Sequence, residues 1–174
     1  MHRTPWQQIN DLDLALCLHF NKLAHFRFWR ALFRAVSRLG DGMLWYSLMG
    51  VLLLAHGIES LPTISRMAFA SVLGLAIYKW LKTRTSRPRP CQVYAAISAA
   101  APMLDRFSFP SGHTLHAVSF SMVACAGYPQ LAAVLYPFAM LVAISRPILG
   151  LHYPSDVLAG ALIGTLVAQL ALII

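Results

Sequence analysis

Five apolar segments with few charges constrain this 174-residue chain more than any other feature. They are Met43–His56, Ile64–Leu81, Thr114–Gly127, Leu131–Ile144 and Val157–Ile174. Hydrophobic residues make up 58% of the chain and charged residues 11%, against about 45–50% and about 25% in soluble domains. Several segments are shorter than the ~20 residues that cross a bilayer. The pattern nevertheless predicts an all-α, polytopic membrane helical bundle of about five transmembrane helices. The alternative, a soluble helical bundle, requires polar stripes that these segments lack.

The N-terminal 42 residues have a different pattern. Four arginines recur at i+3 and i+4 spacing and share one helical face: Arg27, Arg30, Arg34 and Arg38. Apolar side chains lie on another face: Phe26, Trp29, Phe33 and Val36. Such a helix suits the membrane interface, although a solvated charged face on an ordinary packed helix is the alternative. We therefore predict an amphipathic interfacial region over residues 1–42 and a membrane domain over residues 43–174, within a single domain overall.

The charge balance favours anionic partners. The formal net charge is +8, which suits phosphates or anionic lipids. Nucleic acid is not expected, because no basic stripe stands clear of the apolar segments. The three cysteines are widely spaced and predict neither a disulfide framework nor a zinc pattern.

Polar residues concentrate in three clusters: Lys82–Pro90, Pro110–His113 and Ser145–Asp156. With five spans, the first cluster follows span two, the second precedes span three, and the third joins spans four and five. All three then lie on the same face of the membrane. The hydropathy pattern by itself thus meets a geometric condition for a single site, because it places all three clusters on one face.

These clusters contain the parts of a phosphate site. Lys82, Arg89 and Arg146 supply three cations. A helix that begins near Ser111 and Gly112 presents unpaired N–H groups and the positive end of its dipole. Together they can hold a phosphoryl group.

The clusters also contain groups for phosphoryl transfer. Asp156 lies four residues after His152 and can accept from one ring nitrogen, which leaves the other free to attack. His113 can donate a proton to the leaving oxygen. A zinc site that recruits these residues and His116 is the alternative, but neighbouring cations disfavour it. We therefore predict no metal and no cofactor.

The spacings resemble the three-part signature of the type 2 phosphatidic acid phosphatase (PAP2) superfamily: Lys82-x6-Arg89-Pro90, Pro110-Ser111-Gly112-His113 and Ser145-Arg146-x5-His152-x3-Asp156. The resemblance covers residues 82–156. It implies a metal-independent lipid phosphatase that acts on a lipid phosphate monoester or a prenyl diphosphate. The substrate class includes undecaprenyl diphosphate, phosphatidate and phosphatidylglycerol phosphate.

The resemblance also implies a role for each site residue. His152 is the nucleophile that forms a phosphohistidine, Asp156 orients it, and His113 acts as general acid and then as base for water. The phosphoryl oxygens are bound by Lys82, Arg89, Ser111, Gly112 and Arg146. We interpret other charged residues as solvated loop or cap residues: Asp41, Arg84, Arg87, Asp105 and Arg106. We interpret His116 as a packed or pore-lining residue.

Three alternatives stay open beside this reading. Vanadium haloperoxidases use a similar pocket but are soluble. A lipid-phosphate binder or transporter could keep the fold without the chemistry. A prenyl-phospho-sugar phosphatase with a cytoplasmic active site is a further enzymatic alternative.

The location follows from hydropathy and charge. We expect a multi-pass protein of the cell inner membrane, in contact with membrane lipids. Every Lys and Arg except Arg66 falls on the side of the site, which by the positive-inside rule is cytoplasmic. Many bacterial relatives instead work on the outer face, so the sequence leaves the face open, and it predicts no oligomeric state.

Overall fold

The computed structural model describes residues 4–103 and 105–174, and within these ranges every regular element is helical. The α-helices are α1 (Pro5–Asn21), α2 (Arg27–Arg38), α3 (Leu44–His56), α4 (Leu61–Thr85), α5 (Pro90–Val93), α6 (Gly112–Gly127), α7 (Ala132–Ile148) and α8 (Pro154–Ile173). The all-α prediction is therefore confirmed. Each predicted apolar segment coincides with one helix: α3, α4, α6, α7 or α8.

In the part of the chain that the structure describes, three helical stretches are long and apolar enough to cross a membrane: Arg27–Val93, which contains α2 to α5, Pro129–Ile148 and Pro154–Ile173. The chain is therefore a multi-pass membrane protein. Helix α3 has 13 residues and α6 has 16. At 1.5 Å per residue they measure about 20 and 24 Å, which is less than the ~30 Å hydrocarbon core. The count of five transmembrane helices stays a prediction.

Helix α6 lies at the centre of the bundle and packs against α4, α7 and α8. Helix α8 presents small residues to it, with Gly160 and Gly164 at the closest approach. The outward side of α8 carries four leucines, each at least half exposed: Leu158, Leu162, Leu166 and Leu170. Small residues at the helix interface and large apolar residues outside are typical of helices that pack within lipid.

Two helices begin side by side at one end of the bundle. Ser111 is the N-cap of α6, and its Oγ accepts a hydrogen bond from Thr114 N at 3.4 Å. Helix α8 begins at Pro154, and Asp156 Oδ2 accepts from Tyr153 N at 2.9 Å. Ser111 N also donates to the carbonyl oxygen of Asp156 at 3.0 Å. The second and third polar clusters are thus joined through the backbone.

Helix α2 has the two faces that the arginine spacing indicates, and it packs against α7. Phe33 and Val36 are buried, whereas Phe26 and Trp29 are largely exposed. A kink over Leu39–Met43 joins α2 to α3, and Gly42 has a φ of 116° there, a conformation that favours glycine. The placement of this region in the membrane interface stays a prediction.

Candidate active site

The three polar clusters meet at the end of the bundle where α6 and α8 begin. Arg89, from the first cluster, places Nη1 3.2 Å from Nε2 of His152, in the third. Ser111, from the second, is bonded to Asp156 as described above. Clusters that are far apart along the chain therefore contribute to one polar site, as the hydropathy pattern predicts.

His152 lies in the loop between α7 and α8, and 2% of it is exposed. A guanidinium can only donate, so the contact with Arg89 requires a lone pair on Nε2. The proton of the neutral ring then resides on Nδ1, which is 3.7 Å from Asp156 Oδ2. Burial, followed by the charges of Arg146, Arg89 and Lys82, lowers the pKa of His152 well below its ordinary value. The geometry thus favours a neutral imidazole whose Nε2 is unprotonated.

Asp156 is fully buried, and its two oxygens have different partners. Oδ2 accepts from Tyr153 N and faces His152 Nδ1. Oδ1 accepts from Arg87 Nη1 at 2.7 Å. This division of contacts directs one oxygen of the carboxylate towards His152.

The interpretation of Arg87 as a solvated loop charge is wrong. Its guanidinium forms ion pairs with Asp156 and with Asp13, the latter at 2.8 Å. It also lies 4.0 Å from the centroid of the Tyr153 ring. Only 23% of the side chain is exposed. Two carboxylates compensate this charge, because the fold brings both of them to it.

Three further cations surround His152, and most of their partners are neutral. Arg89 donates through Nη1 to Leu151 O at 2.7 Å and through Nε to Asp105 O at 3.0 Å. Arg146, buried at the end of α7, donates to Ser37 Oγ. Both guanidiniums therefore keep their net charge.

Lys82 has mixed partners. Its Nζ donates to Phe107 O at 2.7 Å and lies 3.2 Å from Asp105 Oδ2. The side chain of Asp105 is 36% exposed, so the contact is open to exchange with an anion from solvent. Asp105 is therefore a partner of a site cation rather than a plain loop residue.

The start of α6 carries the other predicted phosphate ligands. Ser111 is buried, and its Oγ lies 2.9 Å from Thr114 Oγ1 while it caps the helix. Gly112 faces the Tyr78 ring, which lies 3.6 Å from the position of a Cβ on that glycine. The helix N-terminus is thus held firmly beside the loop of His152. The roles of both residues in phosphate binding stay predictions.

His113 lies where two cavities meet. One, of about 930 Å³, is lined by α2, the kink after it, residues 101–102, His113 and Arg146. The other, of about 250 Å³, lies between the kink, α3, α4 and α6. Asp41 lines both cavities, and its Oδ1 is 3.5 Å from His113 Nε2. Asp41 was expected to be a loop or cap residue, and the structure places it in contact with the predicted general acid.

His116 is packed between aromatic rings. Its ring stacks on Phe120 at 5.4 Å between centroids and meets the Tyr78 ring edge-on at 5.8 Å. Within residues 4–103 and 105–174, no group of three or more His, Cys, Asp or Glu side chains is placed to hold a metal ion.

Sequence reasoning missed the contribution of the N-terminal region to this site. Asp13 pairs with Arg87, Ser37 accepts from Arg146, and Asp41 contacts His113. One signal was readable: Asp13, Cys17 and Asn21 recur at four-residue spacing in α1. Such spacing places three small or polar side chains on one helical face.

Comparisons with known proteins agree with this architecture. Residues 63–174 match the sequence model of the PAP2 superfamily. Bacitracin transport permease protein BcrC of Bacillus licheniformis is 32% identical over an alignment of 130 residues, gaps included, that covers 59% of this chain and 63% of that protein. Decaprenylphosphoryl-5-phosphoribose phosphatase of Mycobacterium tuberculosis is 32% identical over an alignment of 143 residues, gaps included, that covers 79% of this chain and 75% of that protein.

The fold is shared with a solved structure. The crystal structure of Aquifex aeolicus LpxE superposes with a TM-score of 0.76 at 27% identity, covering 94% of this chain and 96% of that one. The common fold therefore extends beyond residues 63–174 into the N-terminal helices. The name of the mycobacterial relative supports a phosphoric monoester hydrolase. The family match, the relatives and the shared fold show that this chain belongs to the PAP2 superfamily.

Proposed function

We propose that this protein is an integral-membrane lipid phosphatase that hydrolyses a lipid phosphate monoester or a prenyl diphosphate and releases orthophosphate. The observation that carries the proposal is the arrangement around His152. A buried, neutral imidazole directs its Nε2 lone pair at a guanidinium and its Nδ1 towards a carboxylate. A phosphoryl group bound by Arg89 would lie beside the attacking nitrogen.

The chemistry then proceeds in two steps. His152 Nε2 attacks phosphorus, the bond from phosphorus to the leaving oxygen breaks, and His113 gives that oxygen a proton. Asp156 stabilises the positive charge that develops on the imidazole. His113 next accepts a proton from water, which attacks the phosphohistidine. The P–N bond breaks, orthophosphate leaves, and His152 returns to its neutral form.

Charge stabilisation supplies most of the catalysis in this scheme, as is usual for phosphoryl transfer. Arg89 and Arg146 are held by carbonyl and hydroxyl oxygens that leave their charge uncompensated. Lys82 and the N-terminus of α6 add positive potential. Incoming phosphoryl oxygens thus meet cations that are already in place.

The large cavity supports a substrate whose headgroup extends beyond one phosphate. Its volume of about 930 Å³ is far more than a phosphate needs, and α2 contributes Arg34, Ser37 and Arg38 to its wall. A sugar-phosphate headgroup, as in the name of the mycobacterial relative, suits these three polar side chains. A prenyl-phospho-sugar phosphate therefore joins undecaprenyl diphosphate, phosphatidate and phosphatidylglycerol phosphate as a substrate to test. We propose the bacterial inner membrane as the location.

A second candidate function comes from the Bacillus relative, whose name is that of a transport permease. A lipid-phosphate binder or transporter would use the same cations but leave every P–O bond intact. The geometry of His152 and Asp156 favours the phosphatase, because transport requires neither a buried nucleophile nor a carboxylate to orient it.

The test is phosphate release by the purified protein in detergent micelles that contain EDTA. The four lipids are offered in parallel to the wild type, to His152→Ala and to the exposed control His25→Ala. We expect release that survives EDTA, vanishes in His152→Ala and is unchanged in His25→Ala. Labelled phosphate should be trapped on the wild type as an acid-labile phosphoenzyme. Equal release by His152→Ala would refute the nucleophile, and lipid binding without release would favour the transporter.

A further inference from the structure

Helix α1 lies outside the stretch that matches the PAP2 superfamily, yet one of its faces contacts the catalytic loop. Asp13, Cys17 and Asn21 are buried on that face. Cys17 Sγ lies 3.7 Å from the carbonyl oxygen of His152, and Asn21 Nδ2 donates to Ile148 O at 2.9 Å. The segment that carries the proposed nucleophile therefore rests on α1.

Asp13 makes the charged contact of this face. Its Oδ1 accepts from Ser155 N at 3.0 Å. Its Oδ2 accepts from Ser155 Oγ and from Arg87 Nη2, the latter at 2.8 Å. Arg87 Nη1 donates to Asp156 Oδ1 and to Ser155 Oγ. One guanidinium thus bridges a carboxylate of α1 and the carboxylate that faces His152.

The bridge has a consequence for the orientation of Asp156. While Nη2 of Arg87 is held by Asp13, Nη1 contacts Oδ1 of Asp156 but not Oδ2. Oδ2 accepts from Tyr153 N and stays directed at His152. A guanidinium prefers to contact both oxygens of a carboxylate through parallel hydrogen bonds. Without Asp13, Arg87 is therefore free to engage both oxygens of Asp156 and to draw Oδ2 away from His152.

We propose that Asp13, acting through Arg87, is a positioning residue that sets the orientation of Asp156 towards His152. This inference rests on the proposed function, in which His152 is the nucleophile. A misplacement of about 1 Å in an active site can lower the rate on the order of 100-fold. We expect Asp13→Asn to lower kcat by that order with little change in KM, because the cations that would bind phosphate are untouched.

The kinetic experiment compares Asp13→Asn, Asp13→Glu, Arg87→Gln and the double variant Asp13→Asn/Arg87→Gln. Glu59→Gln and Arg84→Gln, at exposed positions, are the matched controls and should keep wild-type rates. Asp13→Glu keeps the charge and should recover part of kcat. The double variant should be no slower than Arg87→Gln alone, because Asp13 acts through Arg87.

Three kinetic outcomes would overturn the proposal. They are a wild-type kcat in Asp13→Asn, additive losses in the double variant, and a loss that appears mainly in KM. If Asp13→Asn does not fold, Arg87→Lys takes its place, since it keeps the charge but loses the fork that bridges two carboxylates. It should show the same fall in kcat at wild-type thermal stability in detergent.

A measurement that does not need turnover separates this proposal from the proposed function. NMR of protein labelled with ¹⁵N-histidine reports the tautomer of each imidazole, and His152→Asn identifies the signal of His152. The wild type should show Nδ1 protonated and Nε2 unprotonated. Because Arg89 still holds that tautomer in Asp13→Asn, the variant should instead shift the Nδ1 and Hδ1 resonances of His152, which report the carboxylate that faces Nδ1. An unchanged spectrum in Asp13→Asn would overturn the positioning role. If the wild type releases no phosphate but its spectrum differs from that of Asp13→Asn as expected, only the proposed function is refuted.

Discussion

The contact between α8 and α6 at Gly160 gives a prediction that can be worked out from distances. A Cβ on Gly160 would lie 2.5 Å from Ser111 O and 3.3 Å from Ser111 Cβ. Ordinary contacts begin at 3.4 Å, and a backbone oxygen cannot rotate aside as a flexible side chain can. Gly160→Ala must therefore separate the two helices by most of an ångström at the N-cap of α6.

The loss of activity should exceed the loss of stability. Overpacking costs about 1–3 kcal/mol, and the higher helix propensity of alanine offsets about 1 kcal/mol of this. Ser111, however, directly precedes Gly112 and His113, and its N–H is bonded to Asp156 O. A displacement of about 1 Å there is expected to lower kcat/KM on the order of 100-fold.

The assay is phosphate release in micelles, combined with the melting temperature in the same detergent. Gly50→Ala is the control, because a Cβ at that position meets no atom within 4 Å outside its own stretch of helix. It should be at least as stable as the wild type, since alanine has the higher helix propensity, and equally active. Gly164→Ala has the same 2.5 Å clash, with Leu115 O, one helical turn further from the site. It should lose stability but less activity. A wild-type kcat/KM in Gly160→Ala, or an equal loss in Gly164→Ala, would refute the reasoning.

The remaining predictions concern His152 and Asp41. Burial and cations lower the pKa of His152 in the folded protein, so below about pH 6.5 the unfolded chain binds a proton that the folded protein excludes. The stability that the neutral ring contributes is therefore complete above that pH and is lost as the pH falls. In His152→Gln the melting temperature should decrease less between about pH 6.5 and pH 5 than it does in the wild type. Asp41→Asn removes the carboxylate 3.5 Å from His113 Nε2; kcat should fall by at most about 10-fold, because Asp41 is 45% exposed and solvent screens the pair. A pH profile of stability that is unchanged in His152→Gln, or a wild-type kcat in Asp41→Asn, would contradict these expectations.

The features that the sequence predicted are those encoded locally. The apolar segments coincide with helices α3, α4, α6, α7 and α8 because the hydropathy of a segment and its helical structure depend on the same consecutive residues. The number of membrane crossings between the three clusters predicted that they lie on the same face, and this count requires no information on side chains. The kink over Leu39–Met43 lies where two glycines flank Asp41 in the sequence, and the division of the chain at residue 42 stays a prediction.

The features that the sequence did not predict depend on pairs that are distant along the chain. Asp13 and Arg87 are 74 residues apart, and neither belongs to a motif. An isolated arginine in a loop between membrane helices is most simply interpreted as solvated. The fold makes that interpretation wrong, since it places α1 against the loop that precedes α8. The role of the N-terminal region at the site therefore emerged only from the structure.

The hydrogen-bond and ion-pair partners of each arginine show whether its charge is compensated, which the spacing of the motifs alone cannot show. Arg87 is compensated by two carboxylates, so an incoming anion would have to displace one of them. Arg89 is held by carbonyl oxygens and contacts His152, and Arg146 is held by a hydroxyl. Burying uncompensated charge is costly, and a fold that retains it is more stable when an anion binds. We therefore propose that a substrate phosphate neutralises the charge that Arg89 and Arg146 keep, whereas the charge of Arg87 is already paired with Asp13 and Asp156.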